Sequence, residues 1–445
     1  MTLQPLSWLQ IIRLGLVQTA LGAIVVLTTT TFNRIMVVEL ALPAVIPGAL
    51  VALHYAMQIL RPRLGYGADI GGRATPWIVG GMVLLAAGGF SAAVATATMS
   101  ITLLPGIAIA ALSFLLIGIG VGACGTTLLV LLAKRVAPER RASAATIVWT
   151  MMIAGFVATT AIVGHLLDPY SPARLVAVAG GVSAAAIIVT LAALRGIEGP
   201  LGVTTTAAQR ATSPSFFVAL NEVWKDPLAR RFAIFIFVSM LAYSAPELII
   251  EPFVGAVFGL TPGESTTLAS AQHGGTLIGM IFIAVVTGVI GQRRPESLQM
   301  WIVGGCVVSA SALLGLTTAA LSAPTWPLRA TVFALGLGNG IYAVAALGSM
   351  MALAGSGQKS REGVRMGVWG AAQAIAFGLG GFIGTLAVDI ARLLLGLTPL
   401  AYAAVFAGEA ALFLAAAGLA MRIRTDRKPL SRLDGSVSTS GMSRV

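Results

Sequence analysis

In a chain this apolar, chemistry is confined to the few imidazoles and charged groups inside hydrophobic runs, and three places stand out. His54 in VALHYAMQIL and His273 in AQHGGTLIGM are imidazoles in apolar settings. A neutral imidazole there either hydrogen-bonds a neighbouring helix or offers a ring nitrogen to a metal-centred ligand, and spacing leaves both readings open. His165, beside Asp168, reads as an interfacial residue. The second place is a set of charges: Arg34 and Glu39 in TTTTFNRIMVVEL, and Glu247 and Glu251 in APELIIEPF. Carboxylates four apart share a helix face. A charge at mid-membrane costs about 2.5–3.5 kcal/mol even on mild scales, so it needs a partner or a function. An outer ion-pair gate between helices is one reading, a static brace the other. Glu409 stands alone in an apolar run and reads as a protonated packing residue. The third place is RPRLGYGADIGGR, in which Gly65 and Gly72 permit a tight turn. Asp69 there can accept from helix N-terminal amides and pair with arginines across the inner face, and Arg73 completes the motif.

These groups need a scaffold, and composition says which. Of 445 residues, 57% are hydrophobic and 10% charged, with mean hydropathy +0.92, against roughly 25% charged in soluble domains. Apolar runs of about 20 residues recur throughout, each long enough to cross a hydrocarbon core of about 30 Å. The expectation is an all-α polytopic membrane protein with twelve spans, from LGAIVVLTTTTF to YAAVFAGEAALFLAA. The longest hydrophilic interruption follows the sixth span. It implies an N-terminal six-helix bundle (1–195), a cytoplasmic central loop (196–229), a C-terminal six-helix bundle (230–422) and a cytoplasmic tail (423–445) expected to be disordered.

The net charge of +12 is distributed as a topology signal and not as a nucleic-acid face. With the N-terminus inside, 24 of the 28 Lys and Arg fall in inner segments, and only Arg34, Arg174, Arg329 and Arg392 fall outside. Both termini are therefore expected in the cytoplasm. Basic turns follow spans two and eight, and again spans four and ten, which implies two repeats about a central cavity. His54 then lies roughly 20 Å from the outer face at 1.5 Å per residue, with His273 nearer that face. Cys124 and Cys306, in apolar runs of opposite halves, offer neither a disulfide framework nor a CxxC motif and read as packing residues. The first apolar run continues past signal-peptide length. Gly118/Gly122 and Gly380/Gly384 are small-xxx-small pairs for close helix approach. Trp149, Trp369, Asn339 and Gln373 are candidate cavity residues.

The spacing of Gly65, Asp69, Gly72 and Arg73 resembles the G-x-x-x-D-x-x-G-R loop of the major facilitator superfamily, with Ile70 and Ala74 where that family usually carries basic residues. A closer resemblance extends from the first span to the eleventh. TTFNRIMVVEL, LHYAMQILRPRLGYGADIGGR, PERRASAATIVWTMMI, ELIIEPFVGAVFGL, AQHGGTLIGM and GVWGAAQAIAFGLGGFIGT look like the PucC/LhaA group, the bacteriochlorophyll delivery family of major-facilitator relatives. HYAMQILRPRLGYGAD and WGAAQAIAFGLGG together are its specific part. The resemblance implies a non-enzymatic assembly factor of light-harvesting or reaction-centre complexes in the intracytoplasmic photosynthetic membrane. Its implied cargo is bacteriochlorophyll, with His54 and His273 as candidate ligands of the magnesium. Its implied partners are antenna polypeptides, pigment-synthesis enzymes or insertion machinery, with self-association left open. The alternative, favoured by fold alone, is a proton-coupled transporter of an amphipathic small molecule. Prenyl transfer to a tetrapyrrole would need clustered aspartates for magnesium and diphosphate, and the chain has no DxxxD, NDxxD or DDxxD.

Overall fold

Inside a bilayer every backbone N–H and C=O must be satisfied within the chain, and the apolar runs meet that demand as helices. The computed structural model describes residues 6–60, 73–137, 140–198, 225, 227–289, 295–322, 324–355 and 362–422. The N-terminal half holds α1 (Trp8–Glu39), α2 (Val45–Ala56), α3 (Thr75–Met99), α4 (Leu103–Arg135), α5 (Arg141–Leu167) and α6 (Pro172–Leu194). The C-terminal half holds α7 (Pro227–Phe258), α8 (Pro262–Val289), α9 (Pro295–Ser322), α10 (Leu328–Gly355), α11 (Glu362–Leu395) and α12 (Thr398–Met421). Eleven of these are long and apolar enough to cross a membrane. The twelfth, α2, is shorter and continues into a 3-10 turn at Met57–Leu60. Gly65, Asp69 and Gly72 of the expected hinge, residues 199–224 and 226, and the 423–445 tail lie outside the described residues, whereas Arg73 is described and exposed.

The two halves are packed alike. In the first, α3 packs on α4 and α6, α1 on α5, and α2 on α4; in the second, α9 packs on α10 and α12, α7 on α11, and α8 on α10. The pairs α2–α11 and α5–α8 join the halves, and a twofold exchange of the repeats turns one pair into the other. One buried apolar cluster runs from Leu6 to Ile197 with Leu248 added; a second runs from Phe232 to Ala420. Arg174, Arg329 and Arg392 sit at helix ends on the side away from the termini, called distal below, with Arg34 toward the same end of α1.

Helix α1 is not regular. Leu27–Thr31 and Ile35–Glu39 are π-helical turns. Thr28, Thr29 and Thr30 donate their hydroxyls back to the carbonyls of Val25, Val25 and Val26 at 2.8, 3.0 and 2.7 Å, and such back-bonding loosens the helical ladder. The widened turns present Asn33 and Arg34 to α7.

Candidate functional site

At the distal end the halves meet through a buried polar cluster. Arg34 is buried and forms its ion pair with Glu39, and it also donates to the carbonyl of Leu260 in the α7–α8 turn. Its side chain lies across Gly255, where an added Cβ would stand 3.0 Å from a guanidinium nitrogen. Neither Glu247 nor Glu251 is within ion-pair distance of Arg34, so the expected pairing across the halves is replaced by one within α1. The reason is local. Arg34 and Glu39 are five apart, and a π-helical turn, with its i to i+5 closure, brings such residues onto one face.

Glu251, buried on α7, accepts from Ser265 at 3.5 Å and Thr266 at 3.4 Å, with Thr30 of α1 also beside it. Thr31 and Thr266 hydroxyls meet at 3.2 Å, and Asn33 donates to the carbonyl of Leu248. Asp389 of α11 caps α2, accepting from the amides of Ala44 at 3.0 Å and Val45 at 2.7 Å. Asp168 of the first half accepts from the hydroxyl of Thr261 at 2.9 Å and the amide of Gly263 at 3.3 Å. Tyr170, in the turn after α5, has its phenol pushed up from the usual range by burial and then by the Glu39 carboxylate, with Arg34 opposing. These hydrogen bonds join the halves at the distal end. The halves are fastened there.

Deeper in the molecule the interface turns aromatic. Tyr55 of α2 packs against Phe377 of α11 (ring centroids 5.6 Å), and Phe377 against Tyr243 of α7 (5.5 Å). All three rings are half-buried, and Glu247 lies one turn along α7 from Tyr243, also half-buried. His54 stands behind this seam. Its ring meets the edge of Tyr55 at 4.8 Å, and its Nε2 lies 3.4 Å from the amide nitrogen of Gln58, one turn on. The imidazole is buried, so it does not itself face the seam. The symmetry-related pair α5–α8 carries the matching station, with Phe156 edge-on to the buried ring of His273 at 5.2 Å. His54 lies level with Gly118, about 15 residues or ~22 Å from the distal start of α4. His273 lies level with Phe156, about 11 residues or ~16 Å from the distal end of α5.

The other candidates separate. Gly118 faces the carbonyl of His54, where a Cβ would come to 2.5 Å, so this glycine sets the α2–α4 crossing. Gly380 and Gly384 do the same for α11 on α7, with Cβ positions 2.6 Å from Leu241 O and 2.7 Å from Ala245 Cβ. Cys124 and Cys306 are free and buried. Asn339 accepts from Ser309 at 2.8 Å inside the second half, Gln373 points to the sulfur of Met240 at 3.8 Å, and Trp149 is exposed. Glu409 is buried in α12, and neither carboxyl oxygen has a hydrogen-bond partner among the described residues. Replacing such a group with an apolar one removes a desolvation cost. Glu409→Met is therefore expected to stabilise the purified protein by about 1–3 kcal/mol, read as a higher denaturation midpoint; a lowered midpoint would show that the carboxyl has a partner.

Sequence reading missed Gln58, which the i, i+4 spacing from His54 could have flagged, and Asp389, whose cap acts across the halves without a local signal. It also missed the glycine zipper between α8 and α10. Gly275 and Gly279 face α10, Gly336 and Gly340 face α8, and a Cβ on Gly336 would overlap the carbonyl of Gln272. The zipper holds the turn of α8 that carries His273.

Comparison with known proteins places this arrangement. Among solved structures, a mutant form of the nucleoside transporter NupG matches with TM-score 0.67 over 93% of this chain and 99% of its own, at 14% identity. A peptide transporter, POT, in complex with sulfate matches with TM-score 0.66 over 95% and 96%, at 15% identity. At those identities the likeness is one of fold, the major-facilitator fold of twelve helices in two six-helix repeats. In sequence, the chain is 48% identical over 415 residues to a Rhodobacter capsulatus protein named bacteriochlorophyll synthase 44.5 kDa chain, covering 93% of this chain and 95% of that one. It is 30% identical over 396 residues to protein PucC of Rhodobacter capsulatus, covering 84% and 82%. The model of the PUCC protein family matches residues 31–427, and by that match and these relatives the chain belongs to the PUCC protein family.

Proposed function

We propose that this protein is a membrane assembly factor of the photosynthetic apparatus. It holds bacteriochlorophyll as cargo between its two halves and passes it to antenna polypeptides, in the bacterial inner, intracytoplasmic membrane with both termini cytoplasmic. The observation that carries this reading is the half-buried aromatic seam Tyr55–Phe377–Tyr243 between the halves, with His54 behind it and His273 at the symmetry-related station. A bacteriochlorin is a flat apolar macrocycle whose magnesium takes an axial nitrogen. Aromatic faces suit its plane, and a neutral imidazole suits its metal. For His54 to serve through Nε2, that nitrogen must exchange Gln58 for the cargo. Holding and releasing a pigment requires no bond chemistry, so the reading is non-enzymatic, and the absence of any DxxxD-type motif supports it. Its orientation rests on the arginine and lysine bias.

The test is a near-infrared absorption spectrum of the protein purified in mild detergent from cells making the pigment. Wild type should carry pigment. His54→Phe and His273→Phe should remain in the membrane and lose it, singly or together, while His54→Gln folds normally because glutamine keeps a donor and an acceptor. Pigment retained by the double Phe variant would make both histidines packing residues. A pigment-free wild type would overturn the cargo reading.

A second reading, a proton-coupled transporter of an amphipathic molecule, is favoured by one observation. Glu251 is a buried carboxyl at the junction of the halves with one oxygen unpartnered among the described residues, beside an unpartnered Asn33 Oδ1 and Arg34 Nε. A junction with spare donors and acceptors suits an exchange of partners. The same spectrum separates the two readings.

A further inference from the structure

Most of the hydrogen bonds that join the halves at the distal end go to backbone groups, and several of them complete a helix. The first amides of a helix, and a carbonyl facing a proline one turn on, have no partner within the helix. Asp389 of α11 supplies the acceptor for Ala44 N and Val45 N at the start of α2, at 3.0 and 2.7 Å. Asp168, after α5, supplies it for Gly263 N at the start of α8, at 3.3 Å. Pro252 lies inside α7, so the carbonyl of Leu248 lacks its i+4 amide, and Asn33 of α1 donates to that carbonyl instead. Each half satisfies backbone groups of the other.

The two caps are one device used twice. The twofold exchange carries α2 and α11 onto α8 and α5, and both crossings repeat the same contacts. One turn inward from Asp389, Thr385 meets Gly48, where an added Cβ would overlap the threonine hydroxyl. One turn inward from Asp168, Gly164 meets Thr267, where an added Cβ would overlap the threonine hydroxyl likewise. A glycine opposite a small side chain lets the backbones approach closely at each crossing. Between the caps, Thr31 meets Thr266 at 3.2 Å, and Arg34 donates to the carbonyl of Leu260.

We propose that the distal junction is a fixed hinge, which stays shut while the halves move, so that the space between them exchanges with the terminus-bearing side alone. A carrier with alternating access must open both ends in turn. Opening the distal end here would strip α2 and α8 of these caps and take the Asn33 donor from the Leu248 carbonyl, on a residue buried in α7. Backbone groups cannot find new partners by rotating as side chains do, and leaving them unpaired away from water is costly. A small rotation about such a fastening moves the opposite end most, because displacement grows with distance from a pivot. The hinge does not depend on which cargo the space holds.

The test follows distances between spin labels in the full chain, in detergent and in bilayers. Cys124 and Cys306 are buried, so introduced cysteines carry the labels. Ala173→Cys with Leu397→Cys spans the halves at the distal end through exposed positions, and Ser143→Cys with Arg422→Cys does so at the other end. The distal pair should give one narrow distance in every condition, while the other pair broadens or shifts. Two distances at the distal pair would overturn the hinge and favour the transporter reading. Fixed distances at both ends would overturn it too, because nothing would then pivot. A covalent lock gives a second measurement. Thr31→Cys with Thr266→Cys places sulfurs where hydroxyls stand 3.2 Å apart, and oxidation should join them. The oxidised protein should load and release pigment at the rate of its reduced form, and a loss of exchange that reductant reverses would overturn the hinge. The lock rests on the cargo reading; a pigment-free wild type fails that reading and leaves the label distances to decide the hinge.

Discussion

Arg34→Ala is expected to lower the stability of the purified protein by about 2–5 kcal/mol, the cost of truncating a large, fully buried side chain and leaving its space empty. The side chain is buried against Gly255, and its guanidinium satisfies both Glu39 and the Leu260 carbonyl. Its loss leaves a cavity and an unpaired carbonyl where the halves are fastened, while the carboxylate of Glu39, an exposed residue, keeps its access to solvent. Arg34→Lys should rescue only part of this, because an ammonium lacks the planar fork that serves two acceptors at once. The partner test is sharper. Glu39→Gln should lower the midpoint in the wild-type background, where it breaks the pair, and change it little in the Arg34→Ala background, where the exposed carboxylate is already solvated, whereas Glu251→Gln should add its own cost in both. Unfolding midpoints of the single and double variants give the coupling. Recovery with Glu251→Gln in the Arg34→Ala background, and no loss with Glu39→Gln in the wild type, would return the pairing to the two halves.

The second large effect is expected at the α8–α10 crossing. Gly336→Val should destabilise by about 3 kcal/mol, at the upper end for overpacking, because the atom in the way is the Gln272 carbonyl, a backbone group that cannot rotate aside. The two helices must separate, and the turn carrying His273 must shift with them. The matched control is Gly304→Ala on α9, where an added Cβ meets nothing within 4 Å. That change should be neutral or slightly stabilising, since alanine is favoured over glycine in a helix by about 1 kcal/mol. Membrane-extracted yield and midpoint measure both. Equal behaviour of the two variants would mean that helix propensity, and not the close approach, governs these glycines.

The sequence by itself determined the membrane class, the twelve helices and their division into two repeats. Apolar run length answers to bilayer thickness, which is a property of each run and needs no knowledge of its neighbours. Small-xxx-small pairs such as Gly380/Gly384 were legible for the same reason, because the i, i+4 face is local to one helix. Arg34's partner was not. In a regular α-helix residues five apart diverge, and only the π-helical turn Ile35–Glu39, induced in its packed setting, brings the two charges together. Asp389 gave no signal either, since it caps a helix some 345 positions away in the chain and nothing near it in sequence marks it as a cap. The histidines fall between these cases. Their apolar settings were visible, but that His54 lies enclosed beside Gln58, behind the seam of Tyr55, Phe377 and Tyr243, depends on how α2, α7 and α11 cross. Only the tertiary structure decided which side chains face the space between the halves, because orientation toward a shared interface is set by helix crossings that no single helix encodes.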